Sequence, residues 1–334
     1  MLSHVLTMNF TAPAPPYQAE IYMPENTENF AEGLLHILKT AISGVAPDVA
    51  IAAKICLSLI AIILLIALVD TFSDAAKATT RLVGAIAVSI LLLDSSHTLI
   101  NLGTNTIITM SEYGKLLLPI MTAALAAQGG ITTSTALYMG TVVFDTVLTT
   151  VLVKVLIPAS YIYIVFCIAN SVIKHDTLTN IVNFVKWLIT WTLKIILYIF
   201  TGYITVTGVI SGNVDAATLK ATKITISGAV PVIGNIISDA SETILISAGL
   251  VKNSVGIYGL FVIISLWIGP FLQIGIQYLL LKLTAAVCSV FGKHETLNLI
   301  HNFTSVMGFL LAATGTICVL LLITTVCFMR GVAT

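Results

Sequence analysis

The sequence predicts an all-α, polytopic helical membrane protein that contains two internal repeats, each with a short re-entrant or half helix. The first observation is composition: 57% of the residues are apolar, only 9% are charged, and the mean hydropathy is +1.04. A soluble domain carries about 25% charged residues, so this chain has too little charge to cover a surface in water. The second observation is a sequence pattern that occurs twice.

The duplicated pattern is a Lys-His-acid-Thr-Leu motif. Lys174–Leu178 returns 119 residues later as Lys293–Leu297, and Ile, Asn and Phe follow both copies at the same spacing. A pair of prolines 39 residues apart precedes each copy: Pro119 with Pro158, and Pro231 with Pro270. We therefore predict two duplicated membrane units, residues 115–210 and 223–327. Duplicated bundles around a central site are typical of transporter and channel scaffolds.

Residues 1–48 form a polar segment, rich in proline and glutamate, that differs from the rest of the chain. A short amphipathic helix is expected near residues 27–43. The first ten residues have neither the basic start nor the apolar run of a cleavable signal peptide. We expect this acidic segment to lie outside the cytoplasm.

Residues 49–110 are predicted to hold two membrane-spanning helices, at about 49–69 and 82–100. The first is an apolar stretch of 21 residues, and about 20 apolar residues cross the hydrocarbon core. The loop between the two helices, residues 70–81, carries Lys77 and Arg81. Lysine and arginine in short loops mark the cytoplasmic side, so this loop is expected inside the cytoplasm and the N-terminus outside.

Each repeat begins with an apolar segment that is too short to cross a membrane, at 116–127 in the first unit and 224–237 in the second. Such segments are typical of re-entrant or half helices. Helix breaks are expected at the prolines and one glycine: Pro119, Pro158, Pro231, Gly234 and Pro270. Three full spans are predicted to follow in each unit. Because an odd number of spans turns the second copy upside down, we expect inverted repeats.

The candidate site residues are ionisable or polar side chains inside apolar segments: Asp145, Asp239, Glu242, Lys252 and Asn253. An ionisable group in hydrocarbon costs about 2.5–3.5 kcal/mol on insertion scales, so it normally faces a cavity or a bundle interior. One interpretation is a hydrated cavity that admits cations or protons, lined by Asp239 and Glu242 on one helix face, with Asp145 the most deeply placed candidate. The other interpretation is a helix cap at the membrane surface, with no solute.

The sequence contains no motif for catalysis, metal binding or a cofactor. His175 and His294 lack a second ligand at metal-site spacing, and the five cysteines stand singly in apolar segments. A P-loop, a nucleophile elbow and a HExxH motif are all absent from the sequence. A net charge of zero provides no basic stripe for phosphates. We therefore expect a protein that is not an enzyme, and that binds no metal, cofactor or nucleic acid.

Residues 215–270 hold four motifs in a specific order: Asp215–Lys223, Pro231–Gly234, Ser238–Thr243 and Lys252–Gly259. This order resembles the stage III sporulation protein AE family, and the likeness extends over most of residues 49–327. The resemblance implies a polytopic protein of endospore-forming Firmicutes, placed in the mother-cell-derived membrane around the forespore. It also implies a multiprotein channel, or feeding-tube, complex that links the two cells. Members commonly begin with a signal sequence and a longer extracytoplasmic region, and this chain departs from them there.

Three functions are compatible with these observations. The first is a channel or transport component of the sporulation complex that works through other membrane subunits. The second is a scaffold that conducts nothing and holds partner subunits in the membrane. The third is a stand-alone secondary transporter driven by an ion bound near Asp239 and Glu242. The sequence names no solute, no stoichiometry and no partner contact.

Overall fold

The described part of the chain is built from α-helices. The computed structural model describes residues 12–24, 30–72, 77–127, 131–173, 176–210, 254–290 and 294–330. These residues form nine helices, which we number in chain order: α1 Tyr17–Glu20, α2 Phe30–Gly44, α3 Ala46–Phe72, α4 Lys77–Ala127, α5 Ile131–Val151, α6 Ile157–Ile173, α7 Asp176–Ile210, α8 Ser254–Cys288 and α9 His294–Arg330. A π-helical turn, Leu152–Leu156, joins α5 to α6.

Six stretches within the described ranges are long and apolar enough to cross a membrane: Ala46–Phe72, Leu82–Ala123, Leu137–Ile173, Asp176–Ile199, Val255–Cys288 and Thr296–Met329. No strand occurs in the part of the chain that the structure describes. Helices suit a bilayer because each one bonds its own backbone groups internally. The predicted class, a polytopic all-α membrane protein, is confirmed. The boundaries drawn between the N-terminal segment, the first two spans and the two repeats stay predictions.

Helix α9 forms the centre of the bundle. Its apolar window is 94% buried, whereas the window of α3 is 22% buried. Two glycines of α4 bring that helix close to α9: Gly103 faces Leu310 and Thr314, and Gly114 faces Leu321. A Cβ atom on Gly114 would come 2.6 Å from the Leu321 side chain. Small residues at such contacts let two membrane helices approach closely.

The order of the contacts fixes the direction in which each helix runs. The glycine contacts advance together along α4 and α9, so these two helices are parallel. His97 of α4 contacts Tyr161 of α6, whereas the later Ser111 of α4 contacts the earlier Asp145 of α5. The column formed by α5 and α6 is therefore antiparallel to α4.

Helices α7 and α9 run in the same direction, which makes the expected inverted arrangement wrong for them. Helix α7 turns back along α6, where Thr179 donates a hydrogen bond to Asn170 at 3.0 Å. It is therefore parallel to α4 and α9. Each of α7 and α9 begins within its copy of the Lys-His-acid motif. Three spans were expected in the first unit. It has one fewer, because α5 and α6 form one continuous column. The duplication itself stays a prediction.

Pro119 and Pro270 do not break their helices. Pro119 lies inside α4 and Pro270 inside α8. The separate short helix expected at 116–127 is thus wrong: this stretch is the end of a 51-residue helix. Its inward side chains are buried in the bundle: Leu117, Leu118 and Met121. This packing offsets the hydrogen bond that proline removes. The segment 224–237, with Pro231 and Gly234, lies outside the described residues.

Pro158 has a different local effect from Pro119 and Pro270. It stands at the second position of α6, directly after the π-helical turn Leu152–Leu156. Proline cannot donate a hydrogen bond to the carbonyl of the residue four positions earlier, Lys154, and its ring crowds that carbonyl. A wider turn relieves the crowding. Pro158 therefore disturbs the column without ending it.

The N-terminal helices pack against α8. Helix α2 falls where the amphipathic pattern predicted a helix, and its Phe30 ring stacks on Phe261 with centroids 5.3 Å apart. Tyr22 lies against Gly269. The Gln273 side chain donates a hydrogen bond to the Asp48 carboxylate at 2.8 Å. Burial, and the nearby Asp48 charge, raise the pKa of Tyr22 above its ordinary value.

Candidate functional site

Of the five predicted site residues, the structure describes Asp145. The four others, Asp239, Glu242, Lys252 and Asn253, lie outside the described residues, so their grouping stays a prediction. Asp145 lies in the middle of α5 and is 1% exposed. Its side chain lies between α4 and α5, and its depth relative to the other candidates stays a prediction.

The Asp145 carboxyl is held by a hydrogen bond across the α4–α5 interface. The Ser111 hydroxyl donates to Oδ2 of Asp145 at 2.7 Å. Thr141 and Thr149 stand four residues to either side of Asp145, which places all three on one face of α5. Oδ1 of Asp145 and the hydroxyl of Thr149 are buried and receive no hydrogen bond from the described part of the chain. At this interface, Oδ2 of Asp145 accepts a hydrogen bond and Oδ1 accepts none from the described residues.

The electrostatics of this site are dominated by burial. An ionised carboxylate loses much of its hydration inside a protein, and this costs several kcal/mol unless hydrogen bonds or a positive charge compensate. Ser111 supplies one hydrogen bond, and the ammonium of Lys115, one turn further along α4, lies within electrostatic reach of Asp145. A carboxyl in this setting can take up a proton or bind a small cation at Oδ1.

A second polar cluster connects α6, α7 and α9. The Tyr163 hydroxyl donates a hydrogen bond to Oδ1 of Asn302 at 2.9 Å. The half-buried Lys186 donates from its ammonium to the Ser305 hydroxyl at 3.1 Å. Asn302 belongs to the second copy of the duplicated pattern, and Lys186 and Ser305 are themselves 119 residues apart. Lys186 of α7 and the residue 119 positions later on α9 therefore meet in the bundle.

His97 bridges α4 and α6. Its Nδ1 lies 3.0 Å from the Tyr161 hydroxyl, and its Nε2 lies 3.0 Å from the Asn101 amide nitrogen. The helix that contains the second span, predicted to end near residue 100, instead continues to Ala127. Asp94 and His97 therefore lie in the interior of a longer helix. Among the described residues, no group of three His, Cys, Asp or Glu side chains is placed to hold a metal ion.

An apolar groove of about 600 Å³ lies between α5 and α7. Its walls are formed by aliphatic and aromatic side chains with one hydroxyl: Met139, Val143, Phe144, Val147, Thr192, Ile195 and Ile199. Asp145 does not line this groove, because its side chain points to α4 on the opposite side of α5. The lining role predicted for Asp145 therefore concerns the α4–α5 interface and not the groove.

Sequence reasoning missed the partners of the buried polar groups. Ser111 is 34 residues from Asp145, and a serine in an apolar stretch usually bonds its own helix backbone. Lys186 and Ser305 lie within repeated segments, but the pattern matches neither of them. Extending the repeat offset by two residues beyond the last match, Phe184 with Phe303, would have paired them.

The fold and the polar contacts define a multi-pass helical membrane protein with a carboxyl buried between two helices. The pattern of the stage III sporulation protein AE family matches residues 19–331. The chain belongs to this family, and the resemblance found in the sequence is confirmed. It is therefore a membrane protein of a sporulation family.

The chain is similar to the stage III sporulation protein AE of Bacillus subtilis (strain 168), with 27% identity over 225 residues. The matched region covers 67% of this chain and 56% of the relative, so it spans little more than half of the relative's length. No solved structure matches the chain.

Proposed function

We propose that the chain is an integral membrane subunit of the sporulation channel, or feeding-tube, complex between mother cell and forespore. In this proposal it contributes a channel or transport role through its partner membrane subunits. It resides in the mother-cell-derived membrane around the forespore, with its N-terminus outside the cytoplasm. It catalyses no reaction and needs no cofactor.

The buried carboxyl of Asp145 is the observation that carries the conducting role. Ionisable groups inside membrane bundles are expensive, and they typically mark proton relays or ion pathways. A scaffold that only holds partners could fill the α4–α5 interface with apolar side chains at no such cost. Family membership and the six candidate spans support a place in the membrane and in sporulation.

A set of chromosomal replacements tests this role. Asp145→Asn keeps the shape and the Ser111 contact but cannot exchange a proton. We expect the variant to accumulate in the membrane and to reduce heat-resistant spores at least tenfold. Asp94→Asn is the matched control, because it makes the same change at an exposed carboxyl of α4. It should sporulate normally.

The alternatives give different results in the same experiment. If deletion of the gene blocks sporulation while Asp145→Asn sporulates like the parent, the conducting role is wrong and the scaffold is favoured. If the purified chain alone moves ions across liposomes, and Asp145→Asn abolishes this flux, a stand-alone transporter is favoured. A fluorescent fusion that remains in the general cell membrane throughout sporulation would contradict the proposed location.

A further inference from the structure

Helix α7 presents a stripe of exposed aromatic side chains. Phe184, Trp187, Trp191 and Tyr198 are 59%, 52%, 45% and 71% exposed. Their spacing of three, four and seven residues places them on one face of the helix. The rings of the first three lie in sequence, with neighbouring centroids 5.9 Å apart. We call these four residues the aromatic stripe.

The aromatic stripe differs from the lipid-facing surface elsewhere in the bundle. Helix α3 and the start of α4 expose aliphatic side chains, including Leu57, Leu64, Leu68, Ile86 and Ile90. Tryptophan and tyrosine at a lipid surface concentrate at the two membrane–water boundaries. The stripe instead extends over about 21 Å at 1.5 Å per residue, which covers most of the hydrocarbon thickness of about 30 Å. Contact with lipid therefore does not explain why aromatic rings occur along the whole length of the stripe.

The corresponding face of α9 is covered by protein. At the repeat offset of 119 residues, the four stripe positions correspond to Phe303, Val306, Leu310 and Ile317, all 0% exposed. Both helices continue without a break, so the offset preserves the helix face. On α9, Leu310 of this face lies on Gly103 of α4. The two parallel copies thus differ in one respect: α9 has a helix on this face, and α7 has none among the described residues.

We propose that the aromatic stripe is the docking surface for a membrane-spanning helix of another protein chain. Large rings on α7 call for small residues on the partner, as glycines of α4 accept the side chains of α9. A second copy of α7 would instead oppose rings with rings. The apolar groove beside the stripe, lined by Ile195 and Ile199 of α7, extends the same surface. This docking surface does not depend on whether the chain conducts a solute.

Photocrosslinking in sporulating cells tests the docking surface. A benzoylphenylalanine is introduced in place of Trp187, Trp191 or Tyr198, and irradiated membranes are analysed by mass spectrometry. At these positions we expect adducts on an apolar, glycine- or alanine-containing span of a different chain. Leu64 of α3 and Ile86 of α4 are the controls, because both are exposed aliphatic positions, and they should give lipid adducts only.

Two outcomes would overturn the docking surface. Stripe positions that crosslink only to lipid would show an ordinary lipid-facing helix, and adducts on this chain itself, within one copy or between two copies, would show that the protein covers its own stripe. A second measurement uses Trp191→Ala, which should reduce crosslinking from position 187 about tenfold or more, as truncation of a central interface tryptophan does. Leu64→Ala should leave it unchanged. Because Trp191 is exposed, the purified variant should unfold at the parent's temperature.

Discussion

The hydrogen bond between Ser111 and Asp145 predicts a measurable coupling between α4 and α5. Ser111→Ala removes the donor and leaves a buried carboxyl with no hydrogen bond from the described residues. A buried acceptor that loses its donor costs about 1–3 kcal/mol. Hydrogen bonds between membrane helices average about 0.6 kcal/mol, but those to a charged group reach about 1.5–3 kcal/mol. For Ser111→Ala we therefore expect a loss of about 1–3 kcal/mol in the free energy of unfolding.

A double-mutant cycle isolates this interaction from the effects of lost volume. Asp145→Leu replaces the carboxyl with an apolar side chain of similar size, so the serine hydroxyl loses its partner. In that background Ser111→Ala should cost less than about 0.5 kcal/mol, because both polar partners are then gone. The coupling energy is the difference between the two Ser111→Ala measurements. We expect it to exceed about 1 kcal/mol.

Unfolding of the purified protein in mixed detergent micelles provides the assay, followed by tryptophan fluorescence. Thr146→Ala is the control, because the Thr146 hydroxyl bonds only the backbone of its own helix in the described structure, at 2.7 Å. Additive effects of the two substitutions, within about 0.5 kcal/mol, would refute the coupling. They would mean that Ser111 stabilises α4 locally and that Asp145 does not need it.

Three further predictions concern other parts of the chain. Gly33→Val should force the Phe261 ring away from α2, because a Cβ at position 33 would overlap the ring. Overpacking typically costs about 1–3 kcal/mol. Faster proteolysis of the N-terminal helices would reveal this loss of stability. Tyr163→Phe should lower the free energy of unfolding by about 1 kcal/mol through the lost bond to α9, and an unchanged value would exclude a stabilising role. Impermeant thiol labelling from outside should modify Glu25→Cys but not Asp74→Cys, and the reverse pattern would refute the orientation drawn from Lys and Arg in the loop.

Composition and apolar run length predicted the fold class correctly, because these properties depend on each segment alone. The first span lies within α3, and the amphipathic helix near residues 27–43 is α2. The length of α4 could not be predicted in the same way. Proline disfavours a helix interior by about 3 kcal/mol, so Pro119 predicted a break, whereas buried neighbours in the folded bundle hold the helix together. Tertiary packing overrides local propensity here.

The candidate site was predicted only in part for the same reason. A lone Asp145 in an apolar stretch is visible in the sequence, because burying a carboxyl is costly wherever it lies. Its partner Ser111 is not visible, since only the antiparallel packing of α4 and α5 brings the two together. The orientation of the repeats likewise depended on whether α5 and α6 form one column or two, and a single π-helical turn decides that.

The two proposed functions use separate parts of the chain. Helix α9 fills the centre of the bundle, whereas α7 keeps one face exposed while it uses Lys186 to contact Ser305 of α9. The Asp145 carboxyl lies between α4 and α5, and the aromatic stripe shares no residue with that interface. A variant of Trp191 should therefore lose its partner while it retains the Ser111 coupling. Asp145→Asn should retain its partner while it loses sporulation. If either variant abolished both properties, the buried carboxyl and the docking face would be parts of one site.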